Sequence, residues 1–268
     1  MENNIVAKKK FGQNFLKDKS VLQKIVEAMP NNDNKIVEIG PGLGDLTKFL
    51  VDVKSVDAFE VDTDLCKVLQ TKFEKEIATK QLHIHCGDVL TAWKSELIEE
   101  SYDLVANLPY YIATNIILKA LADPKCKNIL VMVQLEVAEK FCANDGDKVF
   151  GSLSIITQSV GEAHIVVRVP PTAFEPQPKI DSAVFLIQKK SDRSDKDFED
   201  MLRVAFTQPR KTLIKNLSST YDKAMLQGIF EDLSLIQTVR PHQVSTNDYH
   251  QLYKLTRSLD GTRERTKR

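Results

Sequence analysis

The apolar residues change period along the chain, and the changes divide it. From Asp18 to about Met29, Val21, Leu22, Ile25 and Val26 recur at helical spacing, and Asp18 or Ser20 can cap. Pro30 and the Asn-rich stretch behind it stop that helix. Short β-type runs then alternate with helical stretches. Lys35–Ile39, Ser55–Phe59, Leu82–Cys86, Tyr102–Ala106 and Ile129–Val133 read as strands. Helices are predicted near Leu43–Val51, Asp64–Glu76, Ala92–Glu99, Thr114–Leu121 and Leu135–Cys142. Alternation of this kind predicts a parallel sheet covered on both faces.

Further on the pattern changes. Phe150–Val160 reads as a helix, and Ala163–Val169 and Ser182–Gln188 read as strands. The Pro-rich segment Pro170–Lys179 joins those strands without a crossover helix, so they can pair antiparallel. Lys189–Asp195 is charged and contains Ser, which marks a boundary. Beyond it the period is helical only, as in Phe198, Leu202, Val204, Ala205 and Phe206. The expectation is an α/β domain over 1–190 and a small α-helical domain over 191–268.

Composition adds little to this but excludes some classes. The 268 residues include 37 basic and 37 acidic side chains, so the formal net charge is zero. That total does not exclude a nucleic-acid partner, because a local basic surface is what matters. Basic residues do cluster, at Lys8–Lys10, at Arg210, Lys211 and Lys215, and at Arg263, Arg265, Lys267 and Arg268. Each cluster alone is equally a solvated face or a tail. The 4 cysteines, Cys66, Cys86, Cys126 and Cys142, form no CxxC pair, so no metal site is expected. Three of them sit among apolar neighbours, as buried thiols do, and a reducing cytosol fits. The basic N-terminus is followed by no apolar h-region, so a secretory signal is not expected. No apolar run approaches a membrane span, and nothing points to an obligate dimer; a cytoplasmic monomer is expected. Met1–Lys10 has almost no apolar residues to bury and is expected to be a mobile arm.

Candidate chemistry sits at the carboxyl ends of the predicted strands, where open α/β sheets bind ligands. After the first comes Glu38-Ile39-Gly40-Pro41-Gly42-Leu43-Gly44, with glycine at every second position. Gly40 and Gly42 let the backbone approach a ligand. The spacing is GxGxG rather than the GxGxxG of dinucleotide sites, and alone it is also compatible with a plain tight turn. After the second strand, Glu60 can accept from both ribose hydroxyls of an adenosine, while Asp62 can cap the next helix. After the third, Asp88 can accept from an adenine amino group and the amide of Val89 can donate to the ring. Together the three sites describe an adenosine-shaped pocket.

Asn107-Leu108-Pro109-Tyr110 follows the fourth strand and points to a class of reaction. The exocyclic amine of a base is a poor nucleophile, because its lone pair is delocalised into the ring. Hydrogen bonds to the Asn107 side-chain oxygen and to a nearby backbone carbonyl favour a pyramidal nitrogen. Pro109 restricts the turn that presents that carbonyl, and Tyr110 can stack on the base. No strong general base is required, since the methylated ammonium is acidic. Rate comes mainly from aligning nitrogen, methyl and sulfonium in line.

With these motifs the chain resembles the ribosomal small-subunit RNA adenine dimethyltransferases, the KsgA/RsmA family. The resemblance is carried by Lys10-Phe11-Gly12-Gln13-Asn14-Phe15-Leu16, the glycine run from Glu38, Gly87-Asp88-Val89 and Asn107-Leu108-Pro109-Tyr110-Tyr111-Ile112. It continues through Phe174-Glu175-Pro176-Gln177-Pro178-Lys179-Ile180-Asp181-Ser182-Ala183-Val184 and Arg210-Lys211-Thr212-Leu213. It implies a Rossmann-like class I methyltransferase sheet, mostly parallel with one antiparallel strand, plus a small C-terminal helical domain. It implies S-adenosylmethionine as cofactor and the 16S RNA of the small subunit as partner, with two adjacent adenines near its 3′ end dimethylated. It further implies that Asn14 and Leu16 close over the cofactor and that Gly40 contacts its methionine part. Glu60 meets the ribose, Asp88 the adenine, and Asn107 bridges cofactor and target amine. Tyr110 stacks on the target adenine, and Phe174 is a candidate for its opposite face. Lys179, Arg210, Lys211 and Lys215 are either solubility charges or phosphate contacts that position the RNA.

Other classes remain in play at this point. A large-subunit RNA adenine methyltransferase of the macrolide-resistance type shares the arm and the NLPY turn. The Phe174–Ser182 block and Arg210–Leu213 argue against it. An RNA-binding assembly factor without catalysis needs none of the pocket residues that are all present here. A nicotinamide dehydrogenase does not fit the glycine spacing, and no insert suggests a DNA methyltransferase.

Overall fold

The computed structural model describes residues 13–191 and 195–266, with side chains up to 258. The expected mobile arm Met1–Lys10, with its lysines, and the terminal Arg263, Arg265, Lys267 and Arg268 side chains lie outside the described residues. Residues 13–139 with 160–191 form one compact unit, and 140–159 with 195–266 form a second.

The first unit opens with a short strand β1 (Phe15–Leu16) and helix α1 (Lys19–Glu27). Asp18 caps α1 by accepting from the Ser20 amide at 2.8 Å, and Val21, Leu22 and Ile25 form its buried face. Each of those side chains contributes about 1.5–3 kcal/mol on burial. Then follow β2 (Lys35–Ile39), α2 (Asp45–Val51), β3 (Val56–Glu60), α3 (Thr63–Lys72), α4 (Glu74–Ala78) and β4 (Leu82–Cys86). After them come α5 (Val89–Ala92), β5 (Tyr102–Asn107), α6 (Ala113–Ala122), β6 (Cys126–Gln134) and α7 (Leu135–Cys142). After α8 (Ser152–Val160), the unit closes with β7 (Gly161–Val169), β8 (Phe174–Glu175) and β9 (Ser182–Lys189).

One sheet of 7 strands runs in the order β4-β3-β2-β5-β6-β9-β7. Neighbours from β4 to β6 pair parallel, and β9 pairs antiparallel with both β6 and β7. A single strand is therefore reversed, as expected. The inner strands are buried at almost every position, which is why they read as continuous apolar runs rather than alternations. A second, 2-stranded sheet pairs β1 with β8 antiparallel, Phe15 opposite Glu175 and Leu16 opposite Phe174. It joins segments too far apart for local pattern to reveal.

Several sequence expectations need correction. The helix expected at Ala92–Glu99 is absent: α5 ends at Ala92, and Trp93 turns extended. The buried Asp123 carboxylate takes bonds from the Trp93 indole, the Leu97 amide and the Tyr102 hydroxyl at 2.8–2.9 Å, and those bonds hold the segment out of a helix. The helix expected over Asp64–Glu76 breaks at Phe73, whose buried ring packs beside Gly44; a Cβ on Gly44 would lie 2.5 Å from that ring. The β3–α3–β4 crossover brings Cys66 and Cys86 side by side, with Cα atoms 6.2 Å apart. Cys126 and Cys142 are free.

The second unit also departs from the expected boundary. Residues 140–159 belong with the C-terminal helices α9 (Lys196–Ala205), α10 (Leu213–Leu217), α11 (Lys223–Asp232) and α12 (Thr246–Thr266). The reason is packing: Ala143, Phe150 and Ile155 share a core with Phe198, Leu202, Phe230 and Tyr249.

Candidate functional site

The carboxyl ends of β2, β3, β4 and β5 surround one cavity of about 330 Å³ in the first unit. The loop after β2 forms its floor. Gly42 has φ +60° and lies under the Phe15 ring; a Cβ there would approach the ring to 3.1 Å, so the N-terminal strand can lie this close only over glycine.

Glu60 ends β3 and is 4% exposed. Its carboxylate accepts from the Gly42 amide at 3.1 Å and the Asp62 amide at 2.9 Å. Burial raises its pKa, and those two backbone bonds partly offset the rise. Asp62 caps α3 through the Asp64 amide and also accepts from the Gln13 side chain at 3.2 Å. Beneath them Glu38 is fully buried and accepts from the Thr47 hydroxyl at 2.7 Å. Burial pushes its carboxyl up to about 8, Thr47 opposes the shift, and the nearby Glu60 adds to it. Glu38 is therefore largely protonated at neutral pH. Asp88 is exposed and caps α5 through the Leu90 amide at 2.9 Å.

The opposite wall is the turn after β5. Asn107 donates its side-chain NH2 to the Asn14 carbonyl at 3.2 Å. That bond commits the donor end of the amide and leaves Oδ1 as the end able to accept an amine proton. Leu108 is buried, and its amide donates to Met132 at 3.1 Å. Pro109 packs beside Gly40, whose Cβ position is 3.5 Å from the ring. Tyr110 is half-buried, its hydroxyl 2.6 Å from the Ser182 hydroxyl. Burial raises the phenol pKa and the Ser182 bond partly lowers it. Tyr111 stands on the rim, 59% exposed. Among the described residues, no cluster of metal-ligating side chains exists, and no helix is long and apolar enough to cross a membrane.

A model of the ribosomal RNA adenine dimethylase family matches residues 4–258. The chain belongs to this family. The ribosomal RNA small subunit methyltransferase A of Sulfurimonas denitrificans is 95% identical over 262 residues, covering 98% of each chain. The protein of the same name from Aliarcobacter butzleri is 51% identical, covering 93% of this chain and 96% of its own. A dimethyladenosine transferase from Plasmodium falciparum has a similar structure, with TM-score 0.75 and 25% identity over 89% of this chain and 95% of its own. The 23S rRNA methyltransferase ErmE follows at TM-score 0.69 and 25% identity, covering 91% of this chain and 99% of its own.

Within this dimethylase fold, most of the sequence-predicted residues converge. Asn14, Leu16, Gly40, Gly42, Glu60, Asp88, Val89, Asn107, Leu108, Pro109 and Tyr110 all line the one cavity. Phe174 does not. It is 3% exposed and sits in the core cluster with Leu16 and Leu22, outside that lining. It packs across the β1–β8 pair, opposite Leu16. Lys179 is exposed on the loop before β9, and Arg210, Lys211 and Lys215 are exposed at and before α10 in the second unit. The sequence reading missed Glu38 and Gln13 as wall residues and Ser182 as the partner of Tyr110. Glu38 could have been found, since an acid inside a buried strand must have a neutral or paired form.

Proposed function

We propose that this protein transfers methyl groups from S-adenosylmethionine to N6 of two adjacent adenines near the 3′ end of small-subunit ribosomal RNA, leaving dimethyladenosines. The observation that carries the reading is the tie from Asn107 to the Asn14 carbonyl, which orients an amide acceptor opposite the acids Glu60 and Asp88. The cavity fits the cofactor chemically. Glu60 and Asp88 retain acceptor capacity beyond their backbone bonds, enough for ribose hydroxyls and an adenine amine. Gly40 and Gly42 leave backbone space for the methionine part.

Bound S-adenosylmethionine supplies an electrophilic methyl on a sulfonium. The chain's own residues do the rest. Asn107 Oδ1 and the Leu108 carbonyl accept from the target amine and draw its lone pair out of the ring. Pro109, braced beside Gly40, holds that carbonyl. Tyr110 gives the adenine a stacking face. The proton leaves to water after transfer, so no side chain is needed as a strong base. Asn14 and Leu16 close the cavity from the N-terminal side. Lys179, Arg210, Lys211 and Lys215 contact RNA phosphates and position the subunit. The target must be looped out or extruded, because N6 is unreachable in a stacked helix. The protein acts as a monomer in the cytoplasm, where ribosomal subunits are assembled.

The test is transfer of labelled methyl to unmodified small subunits, followed by nucleoside analysis. Wild type is expected to give dimethyladenosine, and Asn107→Ala to lose at least about 100-fold in rate. Tight subunit binding without transfer would make it an assembly factor, and label in large subunits alone would make it a relative of ErmE in function.

A further inference from the structure

Ser182 opens β9 and is fully buried, at 0% exposure. Its backbone is held from both sides, opposite Gln134 of β6 and Val169 of β7. Few positions in the sheet are less free to move. Its hydroxyl oxygen lies 2.6 Å from the phenol oxygen of Tyr110, 72 residues away in sequence. Tyr110 rides on the turn after β5, with its ring only partly covered. A tyrosine attached only at Cβ swings about two side-chain torsions. A second attachment at the phenol end fixes the direction of the ring's long axis.

We propose that Ser182 is a positioning residue for methyl transfer: it pins the Tyr110 phenol so that the ring's long axis is held at a set place beside the target adenine. This rests on the reading of Tyr110 as the stacking platform. The pin also commits the phenol hydroxyl inside the protein. The ring offers RNA a π face, which suits any purine placed there. The effect on rate follows from the in-line requirement. A base displaced by about 1 Å from the methyl loses up to roughly 100-fold. A short side chain on a strand paired on both edges is a stiffer anchor than a loop residue or a long side chain.

A double-mutant cycle on the full-length enzyme tests this. Ser182→Ala, Tyr110→Phe, the double variant and Tyr110→Ala are compared for kcat and KM on unmodified small subunits, for S-adenosylmethionine Kd, and for melting temperature. Ser182→Ala and Tyr110→Phe are each expected to lower kcat roughly tenfold with cofactor Kd unchanged. The double variant is expected to be no slower than either single. Its melting temperature should recover what Ser182→Ala loses, because the single leaves a phenol unpaired and the double does not. A merely structural role predicts that kcat returns together with melting temperature, and that result overturns the proposal. Wild-type kcat in Ser182→Ala, or additive losses in the double, also overturns it. Full activity in Tyr110→Ala overturns instead the stacking reading beneath it.

Discussion

On the wall of the cavity built from β2, β3 and β4, three acids are held by partners nearer in sequence. Glu60 is held by amides 2 and 18 residues away, Asp88 by one 2 residues away, and Glu38 by a hydroxyl 9 residues away. On the wall built from β1, β5 and β9 the ties are long. Asn107 reaches Asn14 across 93 residues and Tyr110 reaches Ser182 across 72. The first wall forms as its strand–turn–helix units form. The second needs the N-terminal strand, the β5 turn and β9 in place together, and each long closure costs chain entropy before it is rewarded. On the proposed function the two walls separate binding from alignment. Perturbing the first should change cofactor affinity, and perturbing the second should change rate or the stability of the clamp.

The largest effect expected from a single change tests the clamp. Phe174→Ala removes a buried ring beside β1 and should cost about 3–5 kcal/mol of stability, read by urea or thermal unfolding. The fraction still folded should keep methyl transfer within a few-fold. Lost transfer at unchanged stability would put Phe174 at the target ring and break the comparison. Next, Glu60→Gln should weaken S-adenosylmethionine binding by about 10- to 100-fold in calorimetry, the worth of hydrogen bonds to a charged acceptor. Rate at saturating cofactor should stay near that of wild type. A fall in kcat with unchanged Kd would put Glu60 on the wrong wall.

A pH-dependent effect sharpens the first wall alone. Burial raises Glu38 from 4.5 to about 8, so the folded protein holds a proton that the unfolded chain gives up. The stability from this neutral form is complete below about pH 4.5 and is lost as pH rises toward 8, by up to about 1.4 kcal/mol per pH unit. In Glu38→Gln that slope should vanish, as seen in urea midpoints measured between pH 5 and 8. An unchanged slope would mean that Glu38 is ionised in the fold.

The difference between the walls also explains what could be read without coordinates. Glycine at alternate positions, Glu60 and Asp88 stand directly after apolar runs, so strand ends and acids were visible together. The NLPY turn was visible for the same reason. The packing of Phe174 was not legible, because an aromatic residue near a Pro-rich loop looks the same whether it faces a base or a core. Only the β1–β8 register, with Leu16 opposite Phe174, turns it inward. The helix expected over Ala92–Glu99 failed because Asp123, far along the chain, takes the Trp93 and Leu97 donors. The boundary failed because residues 140–159 continue a helical pattern whose apolar side chains are completed by the C-terminal helices.

By itself the sequence determined the parallel β/α order, the reversed strand, the glycine loop, the acids at successive strand ends and the turn that faces them. All of these depend on periodicity or on residues within a few positions of each other. Only the tertiary structure decided that Asn14 orients Asn107, that Ser182 holds Tyr110, that Phe174 is core, that Cys66 meets Cys86, and that residues 140–159 belong to the second unit. Each of these depends on strand register or helix packing across tens of residues. Such contacts arise from closing the sheet and burying its faces, and local patterning does not encode which distant partner will arrive.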